Sequence, residues 1–173
     1  MIFISHVLLS VFILRILSLQ FSSIPFNTYT LLFSAVVAIL PDLDILWAKN
    51  LHMHRKTFFH APLFWIVLFL MSFTLDKVFN FFPVWMLSLF TIQILVHLLL
   101  DYCTGRSAGI FIFYPFSNKE YSLFPLNKNK GIVHPSELKQ MKPKNMITTY
   151  CRSKEQIAFE VLSSSLGMIA LVV

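Results

Sequence analysis

Seven residues in this 173-residue chain have the types and spacings of metal chemistry: His6, Asp42, Asp44, His54, His60, His97 and Asp101. His97 and Asp101 are four residues apart, so on a helix they project from one face on successive turns and can offer two donors to one ion. Asp42 and Asp44 follow Pro41 with only Leu43 between them. On a turn or an extended segment, residues i and i+2 point the same way and can chelate, whereas a helix splays them. Imidazole nitrogen mixed with carboxylate oxygen suits zinc, manganese or iron(II) better than magnesium or calcium, which take oxygen shells. The expected cofactor is a divalent ion, zinc or manganese. Singly, each residue has a plainer use: an aspartate caps a helix, a core histidine bonds a carbonyl. His52 and His134 read as solvated loop residues, and Cys103 and Cys151 have no metal-ligand spacing.

The elements that must position these residues are apolar. AVILMFWYC residues make up 57% of the chain and charged residues 13%, with 19 phenylalanines. A soluble domain this small cannot bury so much apolar surface, and disorder, collagen and a disulfide scaffold are excluded by the same figures. Apolar runs cover residues 2–19, 29–40, 61–75, 81–100 and, more weakly, 157–173. The first has no small-residue cleavage site after a short apolar core, so it reads as a retained helix. Runs two and three are short against the ~20 residues that a helix needs to cross a bilayer. The expected fold is an all-α membrane protein, a bundle of four to five transmembrane or half-spanning helices with a polar cytoplasmic loop region. Its expected parts are a helical membrane domain over 1–105, a basic loop region over 106–156 and a C-terminal transmembrane helix over 157–173.

Charge sets the orientation. Nine of the 14 Lys/Arg lie between Arg106 and Lys154, and three more lie in 49–60. The connections 20–28 and 76–80, on the other side of a four-span bundle, hold only Lys77. In a membrane protein such basic loops mark the cytoplasmic side, and nucleic acid is not the expected partner. His6, Asp42, Asp44, His54, His60, His97 and Asp101 then fall at one level near the cytoplasmic face. Ionisable groups at membrane depth are expensive unless paired or coordinated, so their gathering in one layer points to a site.

The ordered segments Leu40-Pro41-Asp42-Leu43-Asp44, His54-Arg55-Lys56-Thr57-Phe58-Phe59-His60 and His97-Leu98-Leu99-Leu100-Asp101, after an early His6 and before Thr104-Gly105 and Pro115-Phe116, carry a resemblance. Over residues 1–120 the chain resembles the YdjM-like family of membrane-bound metal-dependent hydrolases of bacteria and archaea. The resemblance implies His6, Asp42, Asp44, His54, His60, His97 and Asp101 as the ligand set. It also shows departures: members read His-Arg-Gly where this chain has His54-Arg55-Lys56, the gap from His54 to His60 is one residue longer, and Ala61 replaces a small hydroxyl residue.

The expected function is a hydrolase of the cytoplasmic (inner) membrane. One or two divalent ions activate water at neutral pH, Asp44 or Asp42 takes the proton, and Arg55 with Lys56 holds an anionic group. The expected partners are membrane lipid and an anionic small-molecule or lipid substrate, such as a phosphoester. The alternatives are a metal or proton transporter and a non-catalytic scaffold whose basic tract binds anionic lipid. The topology yields a prediction. His54→Cys and Lys128→Cys, made in a chain lacking Cys103 and Cys151, should resist an impermeant maleimide added to intact cells and react after lysis. Ready labelling of both before lysis would reverse the orientation.

Overall fold

The computed structural model describes residues 3–46, 57–104, 109–119, 121–123 and 154–172. Among them are five α-helices: α1 (Phe3–Gln20), α2 (Thr28–Ile39), α3 (Pro62–Phe79), α4 (Val84–Thr104) and α5 (Lys154–Val172). Two 3-10 segments, Leu40–Leu46 and Phe58–His60, lie between α2 and α3. No β-strand is present among the described residues, only an isolated bridge between Ile110 and Tyr121. The fold is all-α, as the apolar runs imply.

Local chemistry sets the helix ends. Asn27 caps α2 by accepting from the Thr30 N–H at 3.1 Å, while the Thr30 hydroxyl accepts from the Asn27 N–H at 3.1 Å. Pro62 opens α3 at a position where a missing N–H costs least. Asn80 closes α3 in the left-handed region, with φ of 52°. The buried Asp76 carboxylate then accepts from the Phe82 N–H at 2.7 Å, which ties the turn to the helix that enters it. Pro41 cannot donate to the helical ladder, and the chain from Leu40 tightens into the 3-10 form.

That tightened turn lengthens the second span. Helical residues Thr28–Leu46 form a continuous apolar segment of 19 residues, Pro62–Phe79 one of 18 and Val84–Cys103 one of 20, each long enough to cross a membrane. Runs two and three therefore exceed the short stretches 29–40 and 61–75: one continues through the 3-10 turn, the other through Asp76 and Lys77. Ile4–Gln20 and Ile157–Val172 are shorter apolar helices. α3 is the most exposed span, and Ile66, Val67, Leu70 and Met71 face outward as lipid-facing residues do.

Two apolar clusters hold the bundle. Val37, Trp65, Ile94 and Leu98 join α2, α3 and α4. Leu14, Ile24 and Leu89 close the end of the bundle away from Asp42 and Asp101, with Leu17, Phe26 and Trp85 against them. α5 runs parallel to α1: Glu160 and Ser164 meet Ser5, and Gly167 meets Leu8. A Cβ on Gly167 would stand 2.3 Å from the Leu8 carbonyl oxygen, so only glycine admits this approach. Gly167→Val should therefore destabilise the bundle by about 1–3 kcal/mol. The expected readout is a lower thermal midpoint by tryptophan fluorescence in detergent, and an unchanged midpoint would mean that α5 is not seated on α1 in this way.

Candidate metal centre

Three helices bring polar stripes to one end of the bundle. Along α4, Gln93, His97 and Asp101 repeat every four residues, and each is buried. Along α2 and its 3-10 extension, Ser34, Ala38 and Asp42 keep the same spacing. α1 contributes His6 and Ser10 from its first turns. The Gln93 amide donates to the Ser34 hydroxyl, and the Ser34 hydroxyl donates to the Ser10 carbonyl at 3.2 Å. This hydrogen-bonded layer floors the site, and the Leu14–Ile24–Leu89 cluster lies beyond it. His60 arrives from a different direction. The Trp65 indole donates to the Phe59 carbonyl at 2.6 Å, which pins the 3-10 turn to α3 and presents the wholly buried His60 to the stripes.

Four atoms then converge. His60 Nε2 stands 3.2 Å from Asp101 Oδ2 and 3.4 Å from Asp42 Oδ1. His97 Nε2 stands 3.4 Å from the same Asp101 oxygen and 3.6 Å from the same Asp42 oxygen. All four donors lie within 4.8 Å of one another. A tetrahedral ion with bonds of ~2.0–2.1 Å has ligand-to-ligand edges of about 3.3–3.4 Å, which these nitrogen–oxygen distances bracket.

The opposite ring nitrogens decide which form the histidines take. His97 Nδ1 donates to the Ala38 carbonyl at 2.6 Å, so Nε2 carries the lone pair. In the 3-10 pattern the Ala38 carbonyl would be met by the N–H of residue 41, and Pro41 has none. The proline thus leaves room for the bond that orients His97. His60 Nδ1 faces Asp44 Oδ2 at 3.2 Å, and the Thr57 hydroxyl donates to the same oxygen. Each imidazole therefore aims Nε2 at two carboxylate oxygens, an arrangement that could hold a cation between them. Asp42, Asp101 and two neutral histidines sum to a charge of −2, which one divalent ion cancels. Burial disfavours charge on His60, but its contacts with Asp101, Asp42 and Asp44 outweigh that and raise its pKa to about 10 when no metal is bound. The four donors could hold a metal ion.

The family model for YdjM inner membrane protein matches residues 1–172. The chain belongs to the YdjM inner membrane protein family. No curated protein and no solved structure matches it. Membership and the apolar helices make this YdjM protein an integral membrane protein.

Of the seven sequence candidates, Asp42, His60, His97 and Asp101 form the converging set. His6 is adjacent, with its ring stacked on His97 at 4.0 Å between centroids. Asp44 sits behind the His60 ring. The reason is the 3-10 turn: at about three residues per turn, positions i and i+2 diverge by about 240°. Asp42 and Asp44 therefore do not chelate together but grip opposite nitrogens of His60. His54 and Arg55 lie outside the described residues. Sequence reasoning did not single out Thr57, Ser10 or Ser34. The four-residue spacing of Ser34, Ala38 and Asp42 was the available signal. The geometry predicts unequal losses. Asp42→Asn and Asp101→Asn should remove bound metal, whereas Asp44→Asn should weaken affinity by about 10–100-fold. Titration against a chelating dye checks this, and an Asp44→Asn loss as complete as that of Asp42→Asn would make Asp44 a direct ligand.

Proposed function

We propose that this YdjM protein is a membrane-embedded metal-dependent hydrolase acting on a phosphoester or lipid-linked substrate at the cytoplasmic headgroup layer. One observation carries the reading: two imidazoles, each oriented through Nδ1, aim Nε2 at the same pair of carboxylate oxygens with tetrahedral spacing. A divalent ion bound there supplies positive charge to a developing oxyanion and acidifies a water.

The chain's own residues do the rest. Ala38 and Asp44 hold the two rings in place, so no reorganisation is needed when charge develops. Asp42 takes the proton from the attacking water. Of the two carboxylates expected in that role it is the one facing the centre, since Asp44 is shielded by His60. Arg55 and Lys56 hold the anionic group of the substrate. The basic loops support a site on the cytoplasmic side. The Ser10–Ser34–Gln93 layer and the apolar Leu14–Ile24–Leu89 cluster close the bundle beneath the site, which favours chemistry at one face over passage through it.

Hydrolysis of a chromogenic phosphodiester by the detergent-purified protein should vanish on chelation and return with zinc or manganese. Asp42→Asn, which removes a donor to the ion, should abolish the activity as chelation does. Activity that survives chelation undiminished would sink the hydrolase reading.

A further inference from the structure

Asp101 divides its two oxygens between different partners. Oδ2 faces His60 and His97, while Oδ1 faces His6 Nε2 at 3.6 Å. His6 is 3% exposed, and neither of its ring nitrogens has a hydrogen-bond partner among the described residues. A buried imidazole without a partner is unfavourable, so something of the right chemistry belongs beside it. The His6 ring lies nearly parallel to that of His97, with an angle of 18° between the planes, and so approaches Asp101 alongside it. At 3.6 Å the nitrogen is too far from Oδ1 for a good hydrogen bond. It is at the spacing of two ligands on one ion, as in the set next to it. Below it a cavity of about 10 Å³, with room for about one water, is lined by His6, Ser10, Ala38, Gln93 and His97. Gln93 Oε1, buried and without a hydrogen-bond partner among the described residues, is a fitting acceptor for that water. A water that accepts from His6 Nδ1 leaves Nε2 with the lone pair.

We infer that the centre is binuclear, with a second divalent cation between His6 Nε2 and Asp101 Oδ1, and with Asp101 bridging the two ions. This rests on the single-ion site proposed above and deepens it. A carboxylate bridging through both oxygens suits ions ~3.5–4 Å apart, the separation at which a pair clamps the attacking and leaving oxygens of an in-line displacement. His6 and Asp101 supply two donors, which leaves positions for water and for a substrate oxygen. That arrangement suits a phosphoester, whose tetrahedral group can touch both ions.

The experiment uses Mn²⁺ as the probe. Full-length protein in detergent, stripped with chelator, reloaded with Mn²⁺ and desalted, should hold two ions per chain by elemental analysis. Its electron paramagnetic resonance should show an exchange-coupled pair. His6→Ala, and His6→Gln as a variant that keeps a polar side chain, should each hold one ion with an uncoupled signal. One ion in the wild-type protein overturns the binuclear inference and leaves the single-ion reading standing, and two in both variants overturns the place of His6 in it. No ion in the wild-type protein overturns both.

Discussion

A carboxylate buried at membrane depth must be met by positive charge, and the rest of this structure follows from meeting it. Asp44 and Asp101 are fully buried and Asp42 nearly so, all at one end of an apolar bundle. Removing such groups from water costs several kcal/mol each unless they are paired or coordinated. His60 and His97 are the answer within the protein, yet a neutral imidazole cancels no charge. The bundle brings three helices and a 3-10 turn to one point, where Asp42, His60, His97 and Asp101 could hold a cation. The same constraint explains the floor. Ser10, Ser34 and Gln93 satisfy one another, so the polar layer ends one turn below the site and lipid-compatible packing resumes at Leu14 and Leu89.

Pro41 links sequence to chemistry most directly. It converts the end of α2 to the tighter 3-10 form, and that has two effects. The second span gains the length to cross a bilayer, and Asp42 and Asp44 rotate to opposite sides of His60. The Ala38 carbonyl, which a proline at 41 cannot serve, receives His97 Nδ1. One residue without an N–H thus arranges both carboxylates on the second span and the tautomer of a histidine on the fourth.

Much of this was legible in the sequence, for identifiable reasons. The four-residue step from His97 to Asp101 inside a long apolar run admits one reading, because helix geometry is rigid. Apolar run lengths and basic loops gave the all-α membrane class. The Asp42-Leu43-Asp44 spacing was less informative, since chelation or splaying depends on a backbone form that the residues alone do not declare. Runs two and three looked short because Pro41, Asp42, Asp44 and Asp76 interrupt the hydropathy while their side chains turn inward. Thr57 and the serines were invisible for a different reason. A hydroxyl on an apolar helix is ordinary, and only its partner more than twenty residues away along the chain makes Ser34 part of a floor. Glu160 interrupts the hydropathy of the run 157–173, but its contact with Ser5, distant in the chain, is a tertiary fact.

The parallel seating of α5 on α1 gives the protein a timetable. His6 leaves the ribosome before His97 and Asp101, which follow it by 91 and 95 residues, and Gly167 comes later still. At about 5–20 residues per second, the donors are delivered over several seconds. During that interval α1 sits in the bilayer with a lone histidine, which a neutral ring tolerates and a carboxylate would not. The chain thus inserts a neutral donor first, and the fully buried carboxylate on α4 follows α1, α2 and α3. The four donors of the site are then together only after α4 has emerged.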